Sequence, residues 1–174
     1  LEEQKRLPDP ATVALIRFDS EAVERFRQMV DLAAIKPLEK EEYLPRASTP
    51  LLDAVGKTIN ELDEDWKREQ PDRCIVVIIT DGAENCSREY SKTKVKEMIQ
   101  VRQDSKKWAF IYLGADMDTF AEAGGIGIAR ENTAGFVKSA NGMRSMYGAM
   151  GQTVTAMRAT GQMVANNLGG NINE

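Results

Sequence analysis

The chain has 174 residues, 42% of them hydrophobic, enough to bury one substantial core and within the usual range of a single domain. Its 23 Lys+Arg against 27 Asp+Glu give a formal net charge of -4 with no basic stripe, so nucleic acid is not expected as a partner. Histidine is absent, which removes Ser-His-Asp triads, His general bases and His-containing zinc sites, and no apolar run is long enough to span a bilayer.

The opening LEEQKRL reads as the last turns of an amphipathic helix, broken by Pro8 and Pro10. Thr12 to Phe18, TVALIRF, is a β-rich run stopped by Asp19-Ser20, and Val23 to Arg27 alternates as an edge strand pairing antiparallel with it. Lys36 to Thr49, with Pro37, Pro45 and the charged cluster Glu39 to Glu42, suits an exposed connection. Thr49-Pro50 opens a helix whose Leu51, Leu52, Val55, Ile59 and Leu62 recur at helical spacing, with Thr49 as its cap. Arg73 to Thr80, RCIVVIIT, is nearly continuous in aliphatic residues, the pattern of a strand covered on both faces. Ser91 caps the next helix, to Val101, with Val95, Met98 and Ile99 inward, and WAFIYL from Trp108 to Leu113 is a second buried strand. A short helix over Met117 to Ala123 ends at Gly124-Gly125, and an edge strand is expected over Thr133 to Val137. Residues 139–168 read as one long Met-rich amphipathic helix loosened by Gly148, Gly151 and Gly161.

Strands alternating with helices imply an α/β fold, doubly wound with a mostly parallel central sheet, and ligands in such sheets bind beyond the carboxyl ends of the strands. Residues 1–137 form the expected α/β domain, and residues 138–174 a helical tail packed on that domain or on a partner, with oligomer formation through the tail as a further expectation. Cys74 and Cys86 fall too far apart along one extended stretch for a disulfide, and such low cysteine use fits a reducing cytoplasm.

Two oxygen-rich turns carry the chemistry: Ser48-Thr49-Pro50-Leu51-Leu52-Asp53 at a helix head, and Thr80-Asp81-Gly82-Ala83-Glu84-Asn85 after the central strand. A hydroxyl and a carboxylate brought together there suit a hard cation such as Mg²⁺, with Mn²⁺ or Ca²⁺ as substitutes, and an open position on the ion accepts a partner's carboxylate. Thr49 and Asp81 are the candidate ligands, and Ser48, Gly82, Glu84 and Asn85 the candidate partner-binding residues. The plainer roles are a helix cap for Thr49, turn chemistry for Asp81 and a first-turn helix acid for Asp53. Asp116 and Asp118 are read as loop acids capping a short helix, and Gly124-Gly125-Ile126-Gly127 as a turn, since no P-loop Lys follows.

IVVIITDGAEN, preceded by STPLLDAV and VALIRFDSEA and followed by FIYLGAD, resembles the von Willebrand factor A domain. The resemblance runs to about Gly114 and implies a three-layer Rossmann-like fold and a metal-ion-dependent adhesion site built from three loops. In that family an Asp-x-Ser-x-Ser follows the first strand, a Thr sits in the second loop and an Asp in the loop after the fourth strand. Thr49 and Asp81 match the second and third. No Asp-x-Ser-x-Ser is present; the simplest account is that the first strand, which lies mid-sheet in that family, and most of the first helix precede Leu1, the alternatives being a strand supplied by another chain or a degenerate member of the family. The function it implies is a non-enzymatic protein-binding scaffold or adaptor. The rivals are a metal-free structural subunit with a degenerate site, and a Mg²⁺/Mn²⁺-dependent hydrolase, which wants converging carboxylates holding ions about 4 Å apart.

Overall fold

The computed structural model describes residues 1–39, 42, 48–115, 118–165, 168 and 170–172. Its centre is the strand that the sequence marks as most apolar. Every residue of Trp108–Ala115 is buried, and pleating sends alternate side chains to opposite faces. Trp108, Phe110 and Tyr112 join one core with Leu51, Val55, Ile59, Val95 and Ile99. Ala109, Ile111, Leu113 and Ala115 join another with Met146 and Met157.

In chain order the elements are α1 (Glu2–Lys5), β1 (Thr12–Phe18), β2 (Val23–Asp31), α2 (Leu51–Glu69), β3 (Cys74–Thr80), α3 (Lys92–Asp104), β4 (Trp108–Ala115), α4 (Thr119–Gly125), β5 (Thr133–Phe136), α5 (Ala140–Thr160) and β6 (Asn171–Ile172). Strands β3-β4-β5-β6 form a parallel sheet in that order. Helices α2, α3 and α4 supply the first core and α5 the second, so the parallel sheet carries helices on both faces. The fold is therefore mixed α/β, as the alternation of strand and helix patterns implies.

The expected single sheet is divided. β1 and β2 pair antiparallel as a separate two-stranded ribbon, and no described strand joins β1 to β3. The ribbon is held by side chains instead of a ladder. Phe18 packs on the first core, Lys5 Nζ donates to the Ile35 carbonyl at 3.1 Å, and Arg25 of β2 reaches α2. There its Nη2 lies 2.5 Å from the Asp65 carboxylate, with Glu61 3.4 Å from Nε. The two side chains of the main pair are 12% and 8% exposed. Asp65 also receives Arg68 from its own helix.

Helix ends follow local chemistry, with two departures. Ser91 and Ser139 cap α3 and α5, accepting from Lys94 N and Gly142 N. Asp118 caps α4, accepting from Ala121 N. α5 stops at Thr160 instead of running to 168, because Gly161 takes φ 74 and its N–H turns back to the Met157 carbonyl. The cap position of α2 falls on Pro50, which offers no side-chain acceptor, and not on Thr49. Met117 and Asp116, expected at or before α4, lie outside the described residues, as do 40, 41 and 43–47 of the expected charged connection. At the start of the chain, Gln4 Nε2 donates to the Gly151 carbonyl and the Thr155 hydroxyl, docking α1 on α5.

Arg25→Ala removes one member of a buried ion pair and leaves Asp65 with one largely exposed Arg68. A loss of about 3 kcal/mol is expected in urea unfolding. A loss under about 0.5 kcal/mol, the size typical of an exposed pair, refutes the ribbon-to-α2 tether.

Candidate functional site at the carboxyl end of β3

β3 ends at Thr80, whose buried hydroxyl donates to the Gly82 carbonyl at 2.9 Å and accepts from Gly82 N at 3.3 Å. That small closed turn aims the Asp81 side chain outward, 71% exposed, with Lys138 Nζ 3.9 Å from its Oδ2. Position 82 is fixed by crowding. A Cβ there would lie 2.7 Å from Thr49 Oγ1, so the turn after β3 runs against the Thr49 hydroxyl only because residue 82 has no side chain. Thr49 and Asp81, far apart in sequence, thus belong to one loop edge.

The two segments are stitched by side chains accepting from backbone. Asn85 Oδ1 accepts from Thr49 N at 2.9 Å, while Asn85 N donates to the Thr49 carbonyl at 3.3 Å. Glu84 Oε2 accepts from Leu52 N at 2.9 Å and from the Ser87 hydroxyl at 2.7 Å. Its Oε1 accepts from Cys86 N and Ser87 N. A carboxylate from the next loop therefore does what the missing local cap does not: it satisfies a first-turn N–H and places negative charge at the positive end of α2. Ser48 is half-buried beside Thr49.

Asp53, in the first turn of α2, returns the arrangement. Its own N–H donates to Ser87 Oγ at 3.1 Å. Its carboxylate accepts from Arg88 N at 2.8 Å, Glu89 N at 2.9 Å and Tyr90 N at 2.8 Å. Asp53 is 7% exposed. Burial pushes its carboxyl up, but the three backbone donors outweigh that and hold it below the usual range. Glu84 behaves in the same way: burial raises it, and the donors at Ser87, Leu52 and Cys86 bring it below normal. The next turn of α2 carries Gly56, where a Cβ would lie 2.3 Å from Tyr90 Cδ1 and clash with the ring. The Tyr90 hydroxyl accepts from Asn60 at 2.7 Å.

Sequence reasoning found the two loops but not the reason they meet. Asp53 reads as an ordinary first-turn acid, and Ser87 and Tyr90 carry no motif. The available signal was Gly56, since a glycine inside a helix costs about 1 kcal/mol against alanine and so marks a close approach.

As a cation site the edge offers the Thr49 hydroxyl and the Asp81 carboxylate. Glu84, Asp53 and Asn85 are engaged with backbone. Among the described residues no group of three His, Cys, Asp or Glu could hold a metal ion. Two oxygen donors fit part of a six-coordinate Mg²⁺ shell and do not complete a protein site. Compared with family models, curated proteins and solved structures, the chain has no significant match in any of the three.

Asp53→Asn keeps the shape but weakens three charge-assisted bonds, and a loss of about 2 kcal/mol at pH 7 is expected. Because the folded carboxyl is depressed, its contribution is full above the unfolded value of about 3.9 and is lost as pH falls through the folded value. The stability difference between the natural chain and the variant should therefore narrow below about pH 4. A difference independent of pH from 7 to 3 speaks against a charged Asp53.

Proposed function

We propose that the chain is a protein-binding module of the von Willebrand factor A type, whose recognition edge lies at the carboxyl end of β3. The observation that carries this reading is the convergence of an exposed carboxylate, Asp81, with the Thr49 hydroxyl across Gly82 on a braced pair of loops. Position supports it too, since open α/β sheets bind ligands beyond the carboxyl ends of their strands. In this reading Thr49 and Asp81 contribute two oxygens to Mg²⁺, and Mn²⁺ or Ca²⁺ can substitute. Oxygen donors from outside the described residues complete the shell. The ion supplies a hard positive charge for a partner's carboxylate, and Ser48 and Gly82 border the contact. The residues of this chain bind and position, and no bond is made or broken.

One observation favours a second reading, a structural subunit without metal. The edge is already braced by Asn85, Glu84 and Asp53 through backbone bonds that involve no cation. Rigidity here therefore does not require an ion.

Thermal unfolding with and without Mg²⁺ separates the two. Selective binding to the native state adds RT ln(1 + [L]/Kd), about 1.4 kcal/mol at ten times Kd. The metal reading expects that gain in the natural chain and its loss in Asp81→Ala and Thr49→Ala, both still folded by circular dichroism. Identical melting of the natural chain in Mg²⁺ and in chelator sinks it and leaves the metal-free reading.

A further inference from the structure

Asp81 and Lys138 leave the parallel sheet from the same level. Thr80 of β3 lies opposite Gly114 of β4, and Gly114 lies opposite Gly135 of β5. Asp81 follows that row by one residue and Lys138 by three, from strands two places apart in the sheet. Two strand spacings come to about 10 Å. The four-carbon stem of a lysine is long enough to cross most of that gap. Here it brings Nζ to 3.9 Å from Asp81 Oδ2.

The base of that lysine is fixed by backbone. Ser139 N donates to the Val137 carbonyl at 2.8 Å, closing a three-residue turn with Lys138 at its centre. Ser139 Oγ then caps α5 by accepting from Gly142 N at 2.9 Å. Gly142 lets that turn lie directly on the helix: a Cβ at 142 would fall 2.3 Å from the Val137 carbonyl oxygen and 3.2 Å from Val137 Cβ. On the other side, the turn that carries Asp81 lies against Thr49 because residue 82 has no Cβ. Both charges therefore stand on clamped backbone, with the side chains of Lys138 and Asp81 43% and 71% exposed.

We infer that Lys138 is the built-in counter-charge of this edge, and that a divalent cation loads onto Asp81 in competition with its ammonium. The inference rests on the reading of Thr49 and Asp81 as oxygen donors to Mg²⁺ and adds a control on that site. A carboxylate that faces an ammonium and a dication together holds like charges at short range, and their repulsion opposes loading. The pair lies in high dielectric, so the opposition is modest and falls with ionic strength. It lowers metal affinity without abolishing it. A strongly hydrated ammonium on a flexible stem loses little by turning out to water, so the exchange of Lys138 for a metal ion needs no rearrangement of the clamped turns. The bracing of the edge by Asn85, Glu84 and Asp53 is untouched by either cation.

Titration of the full chain with Mn²⁺ at low ionic strength, followed by loss of the free-ion paramagnetic resonance signal, tests it. Lys138→Gln removes the charge and keeps a long polar side chain, whereas Lys138→Arg keeps the charge; circular dichroism checks that each variant is folded. Lys138→Gln should bind Mn²⁺ about fivefold or more tighter than the natural chain, and Lys138→Arg should not. The gain should shrink as salt is raised and vanish when Asp81→Asn is added to Lys138→Gln. Equal, measurable affinity in the natural chain and Lys138→Gln overturns the inference and leaves the Mg²⁺ reading of Thr49 and Asp81 standing. No binding to either overturns both. The inference also falls if Lys138→Arg gains as much as Lys138→Gln, or if the gain survives in the double variant, since the ion is then held away from Asp81.

Discussion

Two carboxylates hold the head of α2, and the geometry of the loop edge depends on them. Glu84 reaches from the β3–α3 loop to a first-turn N–H of the helix, and Asp53 reaches from the helix to three N–H groups of the loop. Each satisfies donors that the other segment cannot satisfy alone, so the pair acts as one network. Such networks carry more than their members separately, because removing one leaves buried donors without partners. Farther along, the same helix is tied to β2 by Arg25 and Asp65. α2 thereby sets the position of the loop edge relative to both the parallel sheet and the ribbon.

The division of labour among polar groups at that edge is chemical. Side chains that bend inward accept from backbone and are consumed by structure: Glu84, Asp53 and Asn85. Asp81 points outward and stays largely exposed, with a long contact to Lys138 among the described residues. A carboxylate in water costs little to keep charged, whereas one in a network is committed to it. This is why adjacent acids in one short stretch, Asp81 and Glu84, have different uses.

Much of the layer order was legible from pattern alone. β3 and β4 announce themselves as aliphatic runs, α2 and α3 by helical spacing, and their starts by Pro50 and Ser91. What pattern could not give was anything decided between distant segments. The cap of α2 comes from Glu84, more than thirty residues away, and no local rule places it there. Strand propensity alone does not give the separation of β1 from β3, since it says that a segment is extended and not which edge it meets. The end of α5 was misplaced for a local reason: of the three glycines expected to loosen the helix, Gly161 adopts the left-handed conformation and Gly148 and Gly151 do not, and composition does not distinguish them.

The contact between Gly56 and Tyr90 bears on register as much as on strength. A ring lying on bare helix backbone needs a residue without Cβ beneath it, and α2 offers one such residue, at 56. Were the loop to slip by a turn along the helix, the phenol would meet the side chain of Leu52 or Asn60 in place of bare backbone, and Asp53 would lose its three donors together. The pairing therefore has a single low-energy alignment. It works as a key works in a lock, excluding near misses, and the spacing between Thr49 and Asp81 at the surface inherits that discreteness.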